Sequence, residues 1–149
     1  MDNELAAWDD RQAQWEKADP LWSLLAYRLA RFALDLTRAD LRGARGASAE
    51  TRDQLMLAVT SISANIAEGH SRVTVRERAR FYGYALGSTR EAAIWYASIT
   101  NGLPDGVASA RMAVLSRLRR LLFGLIRRGD APRWLGPRRK PDRPPDPAA

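Results

Sequence analysis

Apolar residues recur along this chain at intervals of three and four, and four stretches hold that rhythm long enough to predict helices. In the first, from about Pro20 to Leu41, Leu25, Leu29, Phe32 and Leu36 fall on one face. Leu21, Tyr27 and Leu34 widen that stripe, as expected of a helix packed between two neighbours. The second stretch follows Ser48, a good N-cap type, and runs to Glu68 with a seam of Leu55, Val59, Ile62 and Ile66. The third opens on Thr74-Val75-Arg76-Glu77, a capping box in which each side chain satisfies an orphan amide of the first turn. Phe81, Ala85, Ser88, Ala92, Trp95 and Ile99 form one of its stripes, and Tyr82, Leu86, Thr89, Ala93 and Tyr96 the next. The fourth starts near Asp105 and reaches about Arg128, with a seam of Leu115, Leu118, Leu122 and Leu125 widened by Val114, Leu121 and Ile126.

The breaks between these stretches are equally readable. Asp19-Pro20 supplies an N-cap and a first-turn proline. The run Arg42-Gly43-Ala44-Arg45-Gly46-Ala47 makes a connection, Gly69 is placed to end its helix in the left-handed conformation, and Asn101-Gly102 precedes Pro104. Nothing alternates with a strand's period of two. The pattern predicts an all-α protein, an antiparallel up-down four-helix bundle. Residues 1–19 form an acidic N-terminal extension, read as a short helix with Leu5, Trp8 and Trp15 on one side. Residues 20–130 form the bundle and 131–149 a basic, Pro-rich tail. The density of proline predicts a disordered or polyproline-like tail, with Arg133-Trp134-Leu135 docking back onto the bundle before it.

Composition narrows the chemistry. The chain has 149 residues, of which 46% are hydrophobic and 28% charged, and no cysteine, which excludes disulfides, thiolate metal sites and a cysteine nucleophile. An acidic start without a basic-then-apolar leader, and no long apolar run, predict a cytoplasmic protein with no membrane span. The net charge of +7 is unevenly spread. Residues 1–19 hold six acids against Arg11 and Lys17, whereas residues 105–129 hold six arginines against Asp105. Nearly all the bases are arginine, which clamps phosphate or carboxylate in a bidentate way that lysine cannot; a GC-rich coding sequence would give the same bias.

Polar residues crowd the end of the second helix and the facing part of the third. Asn65, Glu68, Ser88 and Glu91 hold two carboxylates and an amide, a set able to do acid–base work or to fix helix register as a buried network. In the second reading Asn65 and Glu68 secure the helix end, Arg72 pairs with Glu68, and Ser88 and Glu91 bond across the helix pair or a subunit boundary. A di-metal centre needs Glu-x-x-His on facing helices, and His70, the only histidine, follows Glu68 by two positions. No metal, cofactor or catalytic set is expected. Gly83 and Gly87 are read as a close approach opposite Ser61, Ala64 and Ala67.

Ser61-Ile62, Asn65-Ile66-Ala67-Glu68-Gly69, Arg72, Phe81, Gly87-Ser88 and Glu91, in that order and spacing, resemble the four-helix-bundle family encoded by intervening sequences in bacterial 23S rRNA genes. The match covers roughly residues 55–91. His70 stands where that family has an aromatic residue, and the loop before the second helix lacks the family's Phe-Pro. The resemblance implies a homo-oligomer, a pentameric ring, without established enzymatic activity. The accessory protein of diversity-generating retroelements has a similar bundle, and that likeness implies RNA or a reverse transcriptase as partner.

The expected function is therefore a non-enzymatic, homo-oligomeric module binding RNA or a ribonucleoprotein through arginine-rich surfaces. The alternative is a protein-interaction scaffold without nucleic-acid contact. The candidate nucleic-acid contacts are Arg72, Arg76, Arg78 and Arg80 at the start of the third helix, Arg117, Arg119, Arg120, Arg127 and Arg128 on the fourth, and Arg138, Arg139 and Lys140 in the tail. Tyr82, Tyr84 and Tyr96 are candidates for base stacking, though helical spacing equally suits them to the core.

Overall fold

A computed structural model describes residues 1–129. Four long helices carry the fold: α3 (Leu25–Gly43), α4 (Ala49–Ser71), α5 (Val75–Ser98) and α6 (Val107–Gly129). Each packs on its neighbour in sequence, and α6 closes on α3, giving an antiparallel up-down four-helix bundle. The heptad seams form the core: Leu55, Val59, Ile62 and Ile66 of α4 meet Leu29 of α3 and Leu118 and Leu122 of α6, all fully buried.

The helix boundaries follow their caps. Ser48 accepts from Thr51 N at 3.1 Å, and Thr74 accepts from Glu77 N at 3.2 Å while donating to Glu77 Oε2 at 2.7 Å. Asp19 caps as expected, its carboxylate accepting from Leu21 N at 2.8 Å, but the element it starts is a 3₁₀ turn over Pro20–Ser23. Leu24 is extended, so α3 begins at Leu25. At the other end of α3, Arg52 donates to the carbonyls of Leu41, Ala44 and Ala47 and satisfies acceptors that the helix end leaves open.

Gly69 differs from expectation. It keeps helical backbone, α4 continues to Ser71, and the extended residue Arg72 ends it. Among the described residues only Gly46 and Gly106 have positive φ. Glycine is needed at 69 for a different reason. A Cβ there would lie 2.8 Å from Cε1 of Tyr82 and 3.1 Å from Cβ of Phe81, so α5 approaches α4 too closely for any side chain. Gly83 and Gly87 also differ: a Cβ at either meets nothing within 4 Å, and Gly87 is exposed. The close approach of α4 to α5 is made by Gly69, and those two glycines face outward.

The N-terminal segment folds as two helices, α1 (Asp2–Asp10) and α2 (Gln14–Lys17), before the turn at Pro20. Leu5 and Trp8 are buried, whereas Trp15 is 77% exposed, so the three do not share a packed face. Trp8 stacks on Trp22 with centroids 5.9 Å apart and meets Phe32 of α3 at 5.7 Å. Burying side chains of this kind contributes roughly 1.5–3 kcal/mol each. The predicted tail and its docking segment lie outside the described residues. No described helix is long and apolar enough to cross a membrane.

Candidate nucleic-acid interface

Antiparallel alternation sets the site. The start of α5 and the end of α6 lie at one end of the bundle, together with the start of α3 and the end of α4. This end therefore gathers Arg72, Arg76, Arg78 and Arg80 with Arg127 and Arg128, while Arg117, Arg119 and Arg120 lie about halfway along α6. Residues 72–80 and 117–128 hold nine arginines against Glu77 alone. Within α6 six arginines occur and no acid, and two of them stand in the last turn, where cations oppose the helix dipole favourably.

The arginines are held in different ways. Arg72 pairs with Glu68, and its guanidinium stands 4.9 Å from the centroid of Phe81, a cation–π contact. Arg78 is half-buried and reaches the Arg72 carbonyl at 3.4 Å. Arg80 donates to the Tyr84 hydroxyl at 2.7 Å and lies over its ring at 5.6 Å. Arg76, Arg119, Arg120, Arg127 and Arg128 are exposed, as is Arg90 further along α5. Arg117 differs: it pairs with Asp2 of α1 and is withdrawn from the open surface. Arg138, Arg139 and Lys140 lie outside the described residues.

Of the three tyrosines considered for stacking, only Tyr84 is open, at 47% exposure. Tyr82 and Tyr96 are buried, and burial pushes both phenols up from their ordinary pKa.

The polar residues of the α4–α5 pair do not meet as one network within the chain. Asn65 donates to the Ser61 carbonyl of its own helix at 2.8 Å, and Glu68 holds Arg72. Ser88 is half-buried and Glu91 exposed, and among the described residues no hydrogen bond joins either to Asn65 or Glu68. Thr89 and Ala92 on either side of Glu91 are buried, and Glu91 itself falls on the exposed face of α5. No described group of three or more histidine, aspartate or glutamate side chains is arranged to hold a metal ion.

The buried polar joint lies elsewhere and links three helices. Asp40 of α3, with a side chain 6% exposed, accepts from Arg111 Nε at 2.8 Å and Nη2 at 2.9 Å, a bidentate clamp. It also accepts from the Tyr96 hydroxyl at 2.9 Å, and that hydroxyl lies 2.7 Å from Thr37 Oγ1. The hydrogen bonds from Arg111 to Asp40 hold its guanidinium above the ordinary arginine pKa. Nothing in the sequence singles out Asp40 or Arg111 as partners. The one available signal is that Asp40 lies one turn after Thr37 on the inner flank of α3.

A second set of ion pairs binds the acidic extension to the bundle. Asp9 meets Arg28 at 3.0 Å and Glu16 meets Arg31 at 2.8 Å, with Asp2 on Arg117. Trp22 Nε1 donates to Asp9 and Trp8 Nε1 to Asp35, both at 2.9 Å.

Fold and site together define an all-α, four-helix bundle with an arginine-rich end and no described metal cluster. The model of the 23S rRNA-intervening sequence protein family matches residues 26–102, from α3 through the end of α5, and the chain belongs to that family. No curated protein matches the chain.

Proposed function

We propose that this chain is a non-enzymatic, homo-oligomeric module of the cytoplasm that binds RNA, free or within a ribonucleoprotein such as a reverse transcriptase complex. The observation that carries this reading is the set of arginines at one end of the bundle, continued along α6 by Arg119 and Arg120, with Glu77 the lone acid in the two runs. Arg76, Arg80, Arg119, Arg120, Arg127 and Arg128 are the phosphate contacts, and Tyr84 beside Arg80 is the stacking platform. Arginine forks suit phosphate oxygens, and contacts of this kind give affinity without sequence preference.

Self-association is supported by exposed apolar side chains on the outward faces of α4 and α5, where Leu57 is 61% and Ile94 67% exposed. The family resemblance sets the expected number of chains at five. Sedimentation tests it: a single-chain mass for the native protein refutes self-association, and Leu57→Asp with Ile94→Asp is expected to lower the assembled mass.

Filter binding to a structured RNA, titrated with salt, tests the nucleic-acid reading. Four to six engaged phosphates predict roughly a hundred- to thousandfold loss of affinity between about 50 and 200 mM salt. Arg76→Glu with Arg80→Glu, and Arg127→Glu with Arg128→Glu, each weaken binding and flatten that slope. No binding at low salt, or affinity indifferent to salt, refutes it. Recovery of a protein partner after nuclease treatment then favours the scaffold reading.

A further inference from the structure

The groove between α3 and α6 is only half filled. Along α6, Arg117, Leu121, Gly124 and Arg128 recur at helical spacing on the flank turned toward α3. Farther along, α1 packs on α3 and reaches α6 through Asp2. It buries Leu5 and Trp8, and its acids at positions 2 and 9 clip onto Arg117 and Arg28. Toward the arginine-rich end the same groove is open, with a volume of about 440 Å³. Leu24, Leu25, Leu121 and Leu125 form its floor, Arg120 and Arg128 its rim, and Gly124 the gap between them.

We propose that this open half is a docking site for an acidic amphipathic helical segment of a partner protein. The molecule already displays the chemistry. In α1 two acids seven positions apart bracket an apolar pair, and each acid finds an arginine across the groove. Arg120 and Arg128 are eight positions apart on one helix, about 12 Å along its axis, which matches acids two turns apart on a docked helix. Helix-in-groove recognition uses such periodic apolar anchors. An apolar floor offers a phosphate backbone nothing, so the groove goes beyond the RNA reading, although its rim arginines serve there too. Charge also argues against the chain's own segment after residue 129, which carries five bases against Asp130, Asp142 and Asp146.

The test uses the full chain and a fluorescein-labelled, N-acetylated peptide of residues 1–12 as a generic acidic amphipathic probe, read by anisotropy. Saturable binding is expected, weakened about tenfold in Arg120→Glu with Arg128→Glu, since each reversal turns an attraction at the rim into a repulsion. Gly124→Trp is expected to abolish it. A Cβ at Gly124 meets nothing within 4 Å, so the tryptophan plugs the groove while helicity and melting temperature stay unchanged. RNA affinity is retained in Gly124→Trp, which separates failure of this proposal from failure of the RNA reading. Equal binding to native chain and Gly124→Trp overturns the proposal, as does no binding to the native chain. If the native chain fails and Trp134→Ala binds, the chain's own segment fills the groove and an external partner is overturned.

Discussion

Gly69→Ala distinguishes close approach from chain reversal as the reason for the glycine that ends the family motif. In ordinary helical backbone the change stabilises by about 1 kcal/mol. Here the new Cβ stands 2.8 and 3.0 Å from two ring carbons of Tyr82 and 3.1 Å from Phe81 Cβ. The ring is only 5% exposed and has no open space to swing into. Overpacking of this kind costs about 1–3 kcal/mol, so after the propensity gain a net loss of about 1 kcal/mol is expected. Urea denaturation of a double-mutant cycle isolates the cause. Tyr82→Ala alone costs roughly 3 kcal/mol, but in that background Gly69→Ala turns neutral or stabilising. A left-handed glycine would instead lose about 1 kcal/mol in both backgrounds. Equal losses with and without the Tyr82 ring refute the close-approach account.

Three further outcomes follow from the described contacts. Asp40→Ala strands Arg111 inside the bundle and leaves the Tyr96 hydroxyl with Thr37 alone, so unfolding is expected to become easier by roughly 3 kcal/mol. Adding Arg111→Ala recovers part of that loss, and a single-mutant effect below about 1 kcal/mol counts against the joint. Burial raises the Tyr96 phenol above its unfolded pKa of about 10. Its contribution is therefore whole below about pH 10 and lost as pH rises through the native value; Tyr96→Phe flattens the alkaline arm of stability, leaving the share due to Tyr82. Gly87→Ala, with open space around it, is expected to stabilise the isolated chain by about 0.5–1 kcal/mol, and a measured loss shows that something packs there.

Much of the fold was legible because it is locally encoded. The seam Leu55, Val59, Ile62, Ile66 is fully buried as its spacing demands, and the Thr74 and Ser48 caps form where their residue types predict. What escaped is what local pattern does not hold. A glycine near a helix end suits a left-handed cap and a tight crossing equally well, and only the position of Tyr82 decides. Gly83 and Gly87 carry no information about which way they face until the stripes on either side are docked. Asp40 and Arg111 are 71 residues apart, and neither has a neighbour that announces the other. The same holds for Arg117, whose acid sits in the opposite half of the chain. The two arginine runs were readable one at a time, and the meeting of Arg72–Arg80 with Arg127 and Arg128 at one end follows from the up-down alternation of the helices.

The clasp between Asp2 and Arg117 joins residues 115 positions apart, which orders events during synthesis. At ribosomal speeds the first of them emerges on the order of ten seconds before the second. In that interval the α4–α5 hairpin, joined by the short connection at Arg72–Thr74, has time to form, since local contacts assemble fastest. Trp8 can meanwhile settle on Trp22 and Phe32 of α3, but the start of the segment at Asp2 waits unclasped. A ribosome-arrested chain stopped short of Arg117 should be trimmed by protease at its first residues, and one released past Gly129 should resist that trimming.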